Sequence, residues 1–569
     1  MPSFREIWAI DFEFIASAGD IQRPVCVVAK EVNTGEVRKI WLQGNRVPCP
    51  FSVDEDVLYI AYYSSAEWGC FLSMGWPLPT NVLDLFTEFR AMTNGKPGIS
   101  SSGLLGACSY FGISTIADMK KNMMRDRIIQ GPPYSEQEKQ DILEYCESDV
   151  TATVELFQKM YLYIDLQRAL FRGEYMKAIA NMEFNGIPID LEVLNQLKAN
   201  WDFIREALIK EVDKNFEVYE GTTFKVGKFR EYLQREGILW PVTEKGNLEL
   251  KDDTFKSMVK TYPRLQPLRD LRYILGQLRL TELAVGPDGR NRCLLSPFRT
   301  KTGRNAPSNS KFIFGPAVWL RSLIKPEPGR VLAYIDFSQQ EFYIAAVLSG
   351  DQNMKKAYES GDPYLTFAIQ AGAAPEGATK STHKEVRDLF KTCALGVQYG
   401  MESHSLALQI GQTPAHAENL IRHHKRVFHQ YWKWLDHVLN STIIGRKIST
   451  CYGWQFFVTG NGAKEARTIR NFPAQATGAE ILRVACILLM EAGIKIIAPV
   501  HDAIMIECDE SEAEEQIALA QKLMSDASEF VIGKGNRIRT EVDVLRYPDR
   551  YSDPRGKETW DKIMNILGN

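Results

Sequence analysis

Apolar and polar positions alternate along the chain in three different ways. Up to about Tyr163, short strand-like runs alternate with helical patterns, which is typical of an α/β domain. From Gly173 to Leu283 charged amphipathic helical patterns dominate, and beyond Arg299 long helices are separated by a few strongly apolar strands. The sequence therefore predicts an α/β domain followed by an α+β region, with a boundary near residues 165–175.

Two of the apolar runs end in an aspartate. Asp336 ends the strand-like run that precedes Phe337, and Asp502 follows Val500-His501 at the end of another. Turn formation commonly explains a single aspartate at such a position. Two of them, with a cationic helical segment between, favour a pair of Mg²⁺ ions that act on a phosphate.

The first predicted strand and a later helix carry a second set of acidic groups. Asp11 and Glu13 lie two residues apart in the strand-like run 7–14, so their side chains share one face. Tyr145 and Asp149 lie four residues apart in a helical pattern and also share a face. Such a set can hold two divalent ions, with the tyrosine orienting a water for phosphodiester hydrolysis. A solvated strand edge explains the two strand residues equally well.

The cationic segment between the two aspartates has helical spacing. Arg387, Lys391, Leu395 and Tyr399 recur every four residues within the segment 383–400. At about 100° per residue they spread over roughly a third of the helix surface. The cations suit triphosphate oxygens and the tyrosine suits a stacked base, although a solvated face beside a core stripe has the same spacing.

The composition is that of an ordinary soluble protein. At 569 residues, with 45% hydrophobic and 24% charged residues, the chain should form several domains. The net charge of −3 means that any basic surface for nucleic acid is local. Ten scattered cysteines without a CxxC pair argue against zinc and disulfides and favour a reducing compartment. We expect no signal peptide, because residues 1–5 run straight into a strand-like segment at Ile7. We expect no transmembrane helix, because Glu491 and Lys495 interrupt the longest apolar stretch.

The acidic set near the amino terminus resembles motifs of the proofreading 3′→5′ exonucleases, which have an RNase H-like fold. Asp11 and Glu13 match the family's strand motif DxE, and Tyr145 and Asp149 match its helix motif YxxxD. The resemblance implies that the three carboxylates bind metal and that Tyr145 takes part in catalysis.

The middle motif of that family, HNxxFD, is altered in this chain. The corresponding stretch, residues 61–68, lacks the histidine and asparagine and has Glu67 where the family has aspartate. The resemblance makes Glu67 the fourth metal ligand. Asp84 is the alternative acid, although its position at a strand end first suggests a structural role.

The two aspartates of the carboxy-terminal region resemble motifs A and C of family A DNA polymerases. The resemblance implies that Asp336, Asp502 and the backbone of Phe337 bind two Mg²⁺ ions. Glu341 matches the glutamate that excludes a ribose 2′-hydroxyl. Ala503 stands where the family usually has a further glutamate, and because that acid is the less essential one, we expect activity to survive.

The helical segment 383–400 resembles motif B of the same family, RxxxKxxxxGxxYG, at every fixed position. The resemblance implies that Arg387 and Lys391 bind the triphosphate and that Lys391 protonates pyrophosphate. Tyr399 and His501 would contact the nucleotide. Leu395 falls where the family often has Phe or Tyr, a position that governs discrimination by the 3′-hydroxyl.

Four further positions resemble DNA-binding residues of this family. They are Arg304 in a TGR segment and the Arg467, Asn471 and Gln475 of a segment that lines the primer–template minor groove. Donors there can test pair geometry without reading sequence, because every pair offers purine N3 or pyrimidine O2 acceptors. On a thumb-like helical pattern, phosphate contacts and plain solvation explain three arginines equally well: Arg269, Arg272 and Arg279.

Two features have ordinary explanations. Five histidines fall between His416 and His437, but no cysteine or carboxylate completes a tetrahedral zinc site. The stripe of Phe428, Tyr431, Trp432 and Leu435 has helical spacing and is most simply core.

The resemblance covers nearly the whole chain and implies a multidomain protein of α/β plus α+β class. An RNase H-like exonuclease domain at residues 1–165 would precede a right-hand polymerase domain at 173–569. Its parts would be a thumb at about 190–295, a palm at about 296–350 and 440–569, and fingers at about 351–440. Because only ten residues precede Asp11, we expect no 5′-nuclease domain.

The implied function is template-directed DNA synthesis with 3′→5′ proofreading, in replication of the bacteriophage type. Mg²⁺, two ions per active site, is the expected cofactor, with Mn²⁺ as a substitute. The expected partners are primer–template DNA, dNTPs, and a replisome helicase or single-strand binding protein. A cytoplasmic monomer that does not bind membranes is expected.

Four alternatives remain for the function. The exonuclease could be inactive or weakened, or the chain could be a nuclease-dominated repair enzyme or a non-catalytic relic. A single-subunit RNA polymerase would share the palm aspartates, but Glu341 and the exonuclease-like domain argue against it.

Overall fold

The amino-terminal region is built around a five-stranded sheet. A computed structural model describes residues 4–44, 47–114, 118–277, 282–459 and 462–568 of the chain. The strands are β1 (Glu6–Ile15), β2 (Arg23–Glu31), β3 (Val37–Trp41), β4 (Val57–Ala61) and β5 (Asn81–Asp84). The helices are α1 (Ser65–Met74), α2 (Leu85–Thr93), α3 (Leu104–Tyr110), α4 (Asp118–Gln130) and α5 (Glu136–Met160).

Strand β1 lies at the centre of this sheet, whose order is β3-β2-β1-β4-β5. It pairs antiparallel with β2 and parallel with β4. Trp8, Ile10 and Phe12 pack in one core cluster, whereas Ala9 and Ile15 belong to a cluster on the other face with residues of α5. The predicted strand at 7–14 and the helical pattern at 141–149 are both confirmed.

The following region is mainly helical, as its charged amphipathic patterns predict. Its helices are α6 (Leu166–Asn185), α7 (Leu191–Ala199), α8 (Trp201–Asp213), α9 (Val226–Arg235), α10 (Asp252–Thr261) and α11 (Gln266–Gln277). Four two-residue strands lie among them: β6 (Ile187–Pro188), β7 (Tyr219–Glu220), β8 (Thr223–Phe224) and β9 (Arg290–Asn291). Arg279 lies outside the described residues.

A second sheet, fully antiparallel, forms the centre of the carboxy-terminal region. Its order is β13-β14-β10-β15. The strands are β10 (Arg330–Phe337), β13 (Ile496–Val500), β14 (Ala503–Asp509) and β15 (Thr540–Arg546). The helices that accompany this sheet are α12 (Gln340–Ser349), α19 (Gly462–Glu491), α20 (Ala513–Ile532) and α21 (Pro554–Leu567).

Between α12 and α19 lies a group of helices followed by a small hairpin. The helices are α13 (Gln352–Glu359), α14 (Pro363–Gln370), α15 (Lys384–Gln398), α16 (Ser403–Ile410), α17 (Pro414–Val427) and α18 (His429–Gly445). The hairpin strands are β11 (Lys447–Ser449) and β12 (Gln455–Phe457). Helix α15 confirms the predicted helix at 383–400 but ends at Gln398, so Tyr399 is the residue that follows the helix.

The aromatic stripe and one of the five histidines have packing roles. Phe428, Tyr431 and Leu435 are buried, which confirms their assignment to the core. His424 is buried as well, and its Nδ1 accepts a hydrogen bond of 3.0 Å from Trp432.

The two sheets are joined by a continuous helix rather than by a linker. Helix α6 spans most of the predicted boundary interval and packs against both β5 and β13. A Cβ at Gly173 would lie 2.0 Å from the carbonyl oxygen of Val82, so the helix backbone approaches β5 very closely. The predicted start of the second domain at residue 173 therefore falls inside a packed helix.

A buried ion pair fastens the two regions to each other. The guanidinium of Arg172 on α6 donates to both carboxylate oxygens of Glu88 on α2, at 2.6 and 2.8 Å. Asn94, just after α2, donates to the carbonyls of Lys301 and Gln455, at 2.7 and 2.8 Å. These polar contacts fix the amino-terminal sheet against the rest of the chain.

One helical segment of the described residues, Glu465–Glu491, is long and apolar enough to cross a membrane by length and composition. However, 83% of its most apolar window is buried inside the protein. Such burial is typical of a core helix, and the segment packs against α12 and α20.

Candidate functional site

The aspartates at the ends of the two apolar runs lie side by side in the second sheet. Asp336 is the penultimate residue of β10, and Asp502 occupies the two-residue turn that joins β13 to β14. The backbone N–H of Phe337 donates to the carbonyl of Asp502 at 3.4 Å. The turn requires a positive φ, which His501 adopts at 58° although it is not a glycine.

The environment of Asp336 disfavours its charged form. Burial, the Asp502 carboxylate and then Glu541 raise the pKa of Asp336 to about 7. Burial also raises the pKa of Asp502, which the charge of Arg304 opposes. Atom Oδ1 of Asp336 is buried and has no hydrogen-bond partner among the described residues.

Strand β15 adds two acidic residues that the sequence reasoning missed. Glu541 pairs directly with Asp336, and Asp543 pairs with Tyr334. The alternation Glu541-Val542-Asp543-Val544 is itself a strand pattern with acids on one face. It could have been recognised as a candidate in the same way as the DxE run of β1.

The predicted sugar gate is tied to two other predicted residues. Glu341 on α12 accepts a hydrogen bond of 2.5 Å from the guanidinium of Arg304. Burial, followed by the neighbouring Glu341 carboxylate, raises the pKa of Tyr399. The backbone carbonyl of Tyr399 accepts a hydrogen bond of 2.8 Å from Arg467. Contacts therefore connect four predicted positions that are far apart in the sequence.

The predicted phosphate-binding cations lie on α15 beside α14. Arg387 forms an ion pair with Asp362, the residue that caps α14, and lies 5.7 Å from the ring centre of Tyr364. The ammonium of Lys391 lies 5.9 Å from the same ring and its residue is exposed. Leu395 is half-buried and packs against the core.

The three predicted minor-groove residues share one face of α19. Arg467, Asn471 and Gln475 are spaced by four residues along the helix, with Arg467 exposed and the other two half-buried. Oδ1 of Asn471 is buried without a hydrogen-bond partner in the described part of the chain.

The predicted residues of the amino-terminal set come together at β1 and α5. Ligand atoms of Asp11, Glu13 and Cys146 all lie within 4.8 Å of one another. Cys146 Sγ donates to Oδ2 of Asp11 at 3.3 Å, and burial raises the pKa of this thiol. Burial, and then the carboxylates of Asp149, Glu13 and Asp11, raise the pKa of Tyr145, which places Tyr145 and Asp149 beside the strand residues.

Glu67 joins this set from α1, whereas Asp84 has a structural role. Burial and then the charge of Asp11 raise the pKa of Glu67 well above its usual range. Its Oε2 atom is buried and has no hydrogen-bond partner among the described residues. Asp84 caps α2 by accepting from Thr87 N at 2.7 Å and also accepts from Ser64 N at 2.5 Å.

Both acidic centres suit a hard divalent cation. Their carboxylate oxygens are the ligands that Mg²⁺ prefers. A buried oxygen without a partner, Asp336 Oδ1 in one centre and Glu67 Oε2 in the other, is costly unless something else satisfies it. Cys146 donates a hydrogen bond to Asp11. We do not count it among the metal ligands, because a protonated thiol is a poor ligand for Mg²⁺.

Residues 297–544, less than half of the chain, match the family model of DNA polymerase family A. This segment includes most of the second sheet, the helices α12 to α20, and all predicted residues from Arg304 to Asp502. Over this region the match agrees with the family that the motifs resemble.

Curated relatives are similar over about two thirds of the chain. The thermostable DNA polymerase I of Thermus filiformis is 27% identical over 406 residues, which are 65% of this chain and 46% of that protein. DNA polymerase I of Aquifex aeolicus is 26% identical over 442 residues, 68% of this chain and 73% of that protein. The chain thus spans less than half the length of the Thermus relative.

A solved structure resembles nearly the whole fold. It is the POL domain of Pol1 from M. smegmatis in complex with DNA primer-template and dNTP. The TM-score is 0.71 at 19% identity, over 95% of each chain. This similarity extends the shared fold beyond the region that the family model matches.

Proposed function

With a family A polymerase region at residues 297–544 as the premise, we propose that the chain is a DNA-dependent DNA polymerase. It would add dNTPs to the 3′-hydroxyl of a primer paired with a template. The observation that carries the proposal is that Asp336 and Asp502 lie next to each other at one end of the second sheet. The M. smegmatis domain of similar fold was solved with DNA primer-template and dNTP, which supports the same partners here.

The residues divide the work according to their charge and position. Asp336 and Asp502, with the backbone of Phe337, would hold Mg²⁺. When bound, two Mg²⁺ ions lower the pKa of the attacking hydroxyl and neutralise the leaving pyrophosphate. Arg387 and Lys391 would bind the triphosphate, because both are cations on one face of α15.

The sugar and the paired bases would be held by a neighbouring group. Glu341 is kept in place by Arg304 and Tyr399, so its carboxylate can exclude a ribose 2′-hydroxyl. Arg467, Asn471 and Gln475 would donate to the minor groove of the nascent pair. His501, exposed in the turn beside Asp502, would contact the nucleotide or the primer end.

A primer-extension assay with charge-neutral variants tests this proposal. Asp336→Asn and Asp502→Asn should each abolish extension while leaving primer–template binding, measured by fluorescence anisotropy, near the wild-type level. Asp561→Asn, which changes an exposed acid of α21, is the matched control and should extend normally. Substantial synthesis by either active-site variant would refute the assignment of these aspartates.

A second proposed activity is 3′→5′ exonucleolytic proofreading. Its support is that Glu67, Tyr145 and Asp149 converge on Asp11 and Glu13 of β1. Glu67 would replace the aspartate of the family's middle motif, and Tyr145 would orient the attacking water. Here too the ligands would hold Mg²⁺ or Mn²⁺.

The exonuclease is tested with the same labelled primer, incubated without dNTPs. The unmutated chain should shorten the primer, and Asp11→Ala should remove this degradation while sparing synthesis. If the unmutated chain extends primers but never shortens them, the exonuclease proposal fails and the domain has a structural role. Degradation that dominates even with matched dNTPs present would instead favour a repair nuclease.

We also propose a phage-type replicative setting for the enzyme, as a monomer in the host cytoplasm. The cysteines, all free in the described structure, suit such a reducing compartment. Incorporation of dNTPs in strong preference to rNTPs would exclude a single-subunit RNA polymerase. Co-sedimentation with a replisome helicase or single-strand binding protein would test those partners.

A further inference from the structure

Motif C of this chain lacks an acid next to Asp502, and the sheet shows where that acid would have stood. Ala503 pairs directly with Asp336 across β14 and β10. Residues that pair directly on antiparallel strands point to the same face, with Cβ atoms about 4.5–5.5 Å apart. A glutamate at position 503 would therefore flank Asp336 on its β14 side.

The opposite flank of Asp336 carries an acid. Glu541 of β15 pairs directly with Asp336, so Ala503, Asp336 and Glu541 form one row across three strands on one face of the sheet. This face is the more open one of β10, since Tyr334 and Asp336 are half-buried whereas Ile335 and Phe337 are buried. Glu541 is itself exposed, so a cation can reach its carboxylate from solvent.

The carboxylate of Glu541 is oriented toward the end of the strand. Its Oε1 accepts a hydrogen bond of 2.8 Å from Ser338 Oγ, two residues after Asp336. Asp336 lies between β15, which carries Glu541, and β14, whose preceding turn carries Asp502. Its Oδ1 atom is buried and has no hydrogen-bond partner among the described residues. A cation at the strand end would satisfy this oxygen, and the carboxylates of Glu541 and Asp502 would attract the same cation.

We propose that Glu541 supplies the third carboxylate of the polymerase cation site, in place of the acid that Ala503 lacks. The inference rests on the proposed polymerase function and names one more residue of the same site. The acid has moved from one flank of Asp336 to the other, while the number of carboxylates in the row beside Asp502 is preserved. Asp543 is less suited to this role, because it pairs with Tyr334, which lies two residues farther than Asp336 from the end of β10.

Binding of Mn²⁺ to the full chain with primer–template, measured by electron paramagnetic resonance, tests the role without requiring turnover. Glu541→Gln keeps an acceptor for Ser338 but removes the charge, and should weaken Mn²⁺ binding by about tenfold or more. The Mg²⁺ concentration for half-maximal extension should rise in parallel. Asp543→Asn is the matched control on the same strand and should bind Mn²⁺ nearly as the wild type does.

A rescue variant tests the exchange of positions. Adding Ala503→Glu to Glu541→Gln returns a carboxylate to the row and should restore Mn²⁺ affinity, whereas a folded double variant that stays weak overturns the equivalence. Wild-type affinity in Glu541→Gln, or an equal loss in Asp543→Asn, also overturns the inference. Either result leaves the polymerase proposal intact as long as the wild type extends primers; a wild type without extension refutes that proposal instead.

Discussion

Asp362→Asn is expected to tighten nucleotide binding, because Asp362 holds the arginine that would bind the triphosphate. Arg387 forms its ion pair with the Asp362 carboxylate, and the two side chains are only 14% and 25% exposed. A triphosphate that takes Arg387 must replace this partner. Asparagine should preserve the structural role of Asp362, since it caps helices as well as aspartate does and can still accept from Leu365 N, now at 3.1 Å.

The size of the effect follows from the burial of the pair. Hydrogen bonds to charged groups contribute about 1.5–3 kcal/mol net. Arg387 also contacts Asp388 at 3.3 Å, a carboxylate that is 53% exposed and can partly compensate. We therefore expect a gain of about 1–2 kcal/mol, or a nucleotide dissociation constant lower by about 5–30-fold.

Single-nucleotide incorporation, followed as a function of dNTP concentration under single-turnover conditions, gives this constant. Asp388→Asn is the matched control, because it removes an exposed partner of the same arginine and should change the constant little. Thermal unfolding should show that both variants remain folded. An unchanged or weaker nucleotide affinity in folded Asp362→Asn would refute the idea that Asp362 competes with the triphosphate for Arg387.

Three further outcomes follow from buried or shielded charges. Arg172→Met leaves Glu88 buried without its partner, so the free energy of unfolding in urea should fall by about 3–5 kcal/mol; the exposed Arg168→Met should cost less than about 1 kcal/mol. Burial raises the pKa of Glu183 from 4.5 to about 8. Between about pH 4.5 and about pH 8 the Glu183 carboxyl keeps its proton in the folded protein and releases it in the unfolded chain. The free energy of unfolding should therefore fall by about 1.4 kcal/mol per pH unit as the pH rises through this range. Glu183→Gln should flatten this decline when unfolding is measured as a function of pH. Glu341→Ala should lower the preference for dNTPs over rNTPs by about tenfold or more in competitive incorporation; unchanged preference would reject Glu341 as the sugar gate.

Sequence periodicity predicted the local elements of the site but not the contacts between them. Strand β1, helix α5 and helix α15 each have a regular pattern within about twenty residues, so spacing alone shows which side chains share a face. The predicted helix included Tyr399, whereas α15 ends at Gln398, because sequence patterns define helix ends poorly.

Contacts across long sequence separations were not predictable in this way. The pairing of Arg304 with Glu341, and of Asp362 with Arg387, depends on how helices and strands pack. Glu541 shows the limit most clearly: an alternating strand pattern fixes its face, but the register that places it opposite Asp336 exists only in the assembled sheet.

Two of the departures from the family motifs concern the acids of the two proposed cation sites. Each proposed centre would hold a cation among several carboxylates, and each has one acid position that departs from the family pattern. Glu67 reaches its centre from α1 with a side chain one methylene longer than aspartate, and Glu541 would reach the other from the strand on the far side of Asp336. Because attraction to a cation depends on the distance and number of the charges and not on which element carries them, a carboxylate on β15 could serve the proposed polymerase centre in place of the motif position that Ala503 occupies. A motif search that fixes positions along the chain would count two departures here, although the fold brings an acid to each centre, Glu67 from α1 and Glu541 from β15.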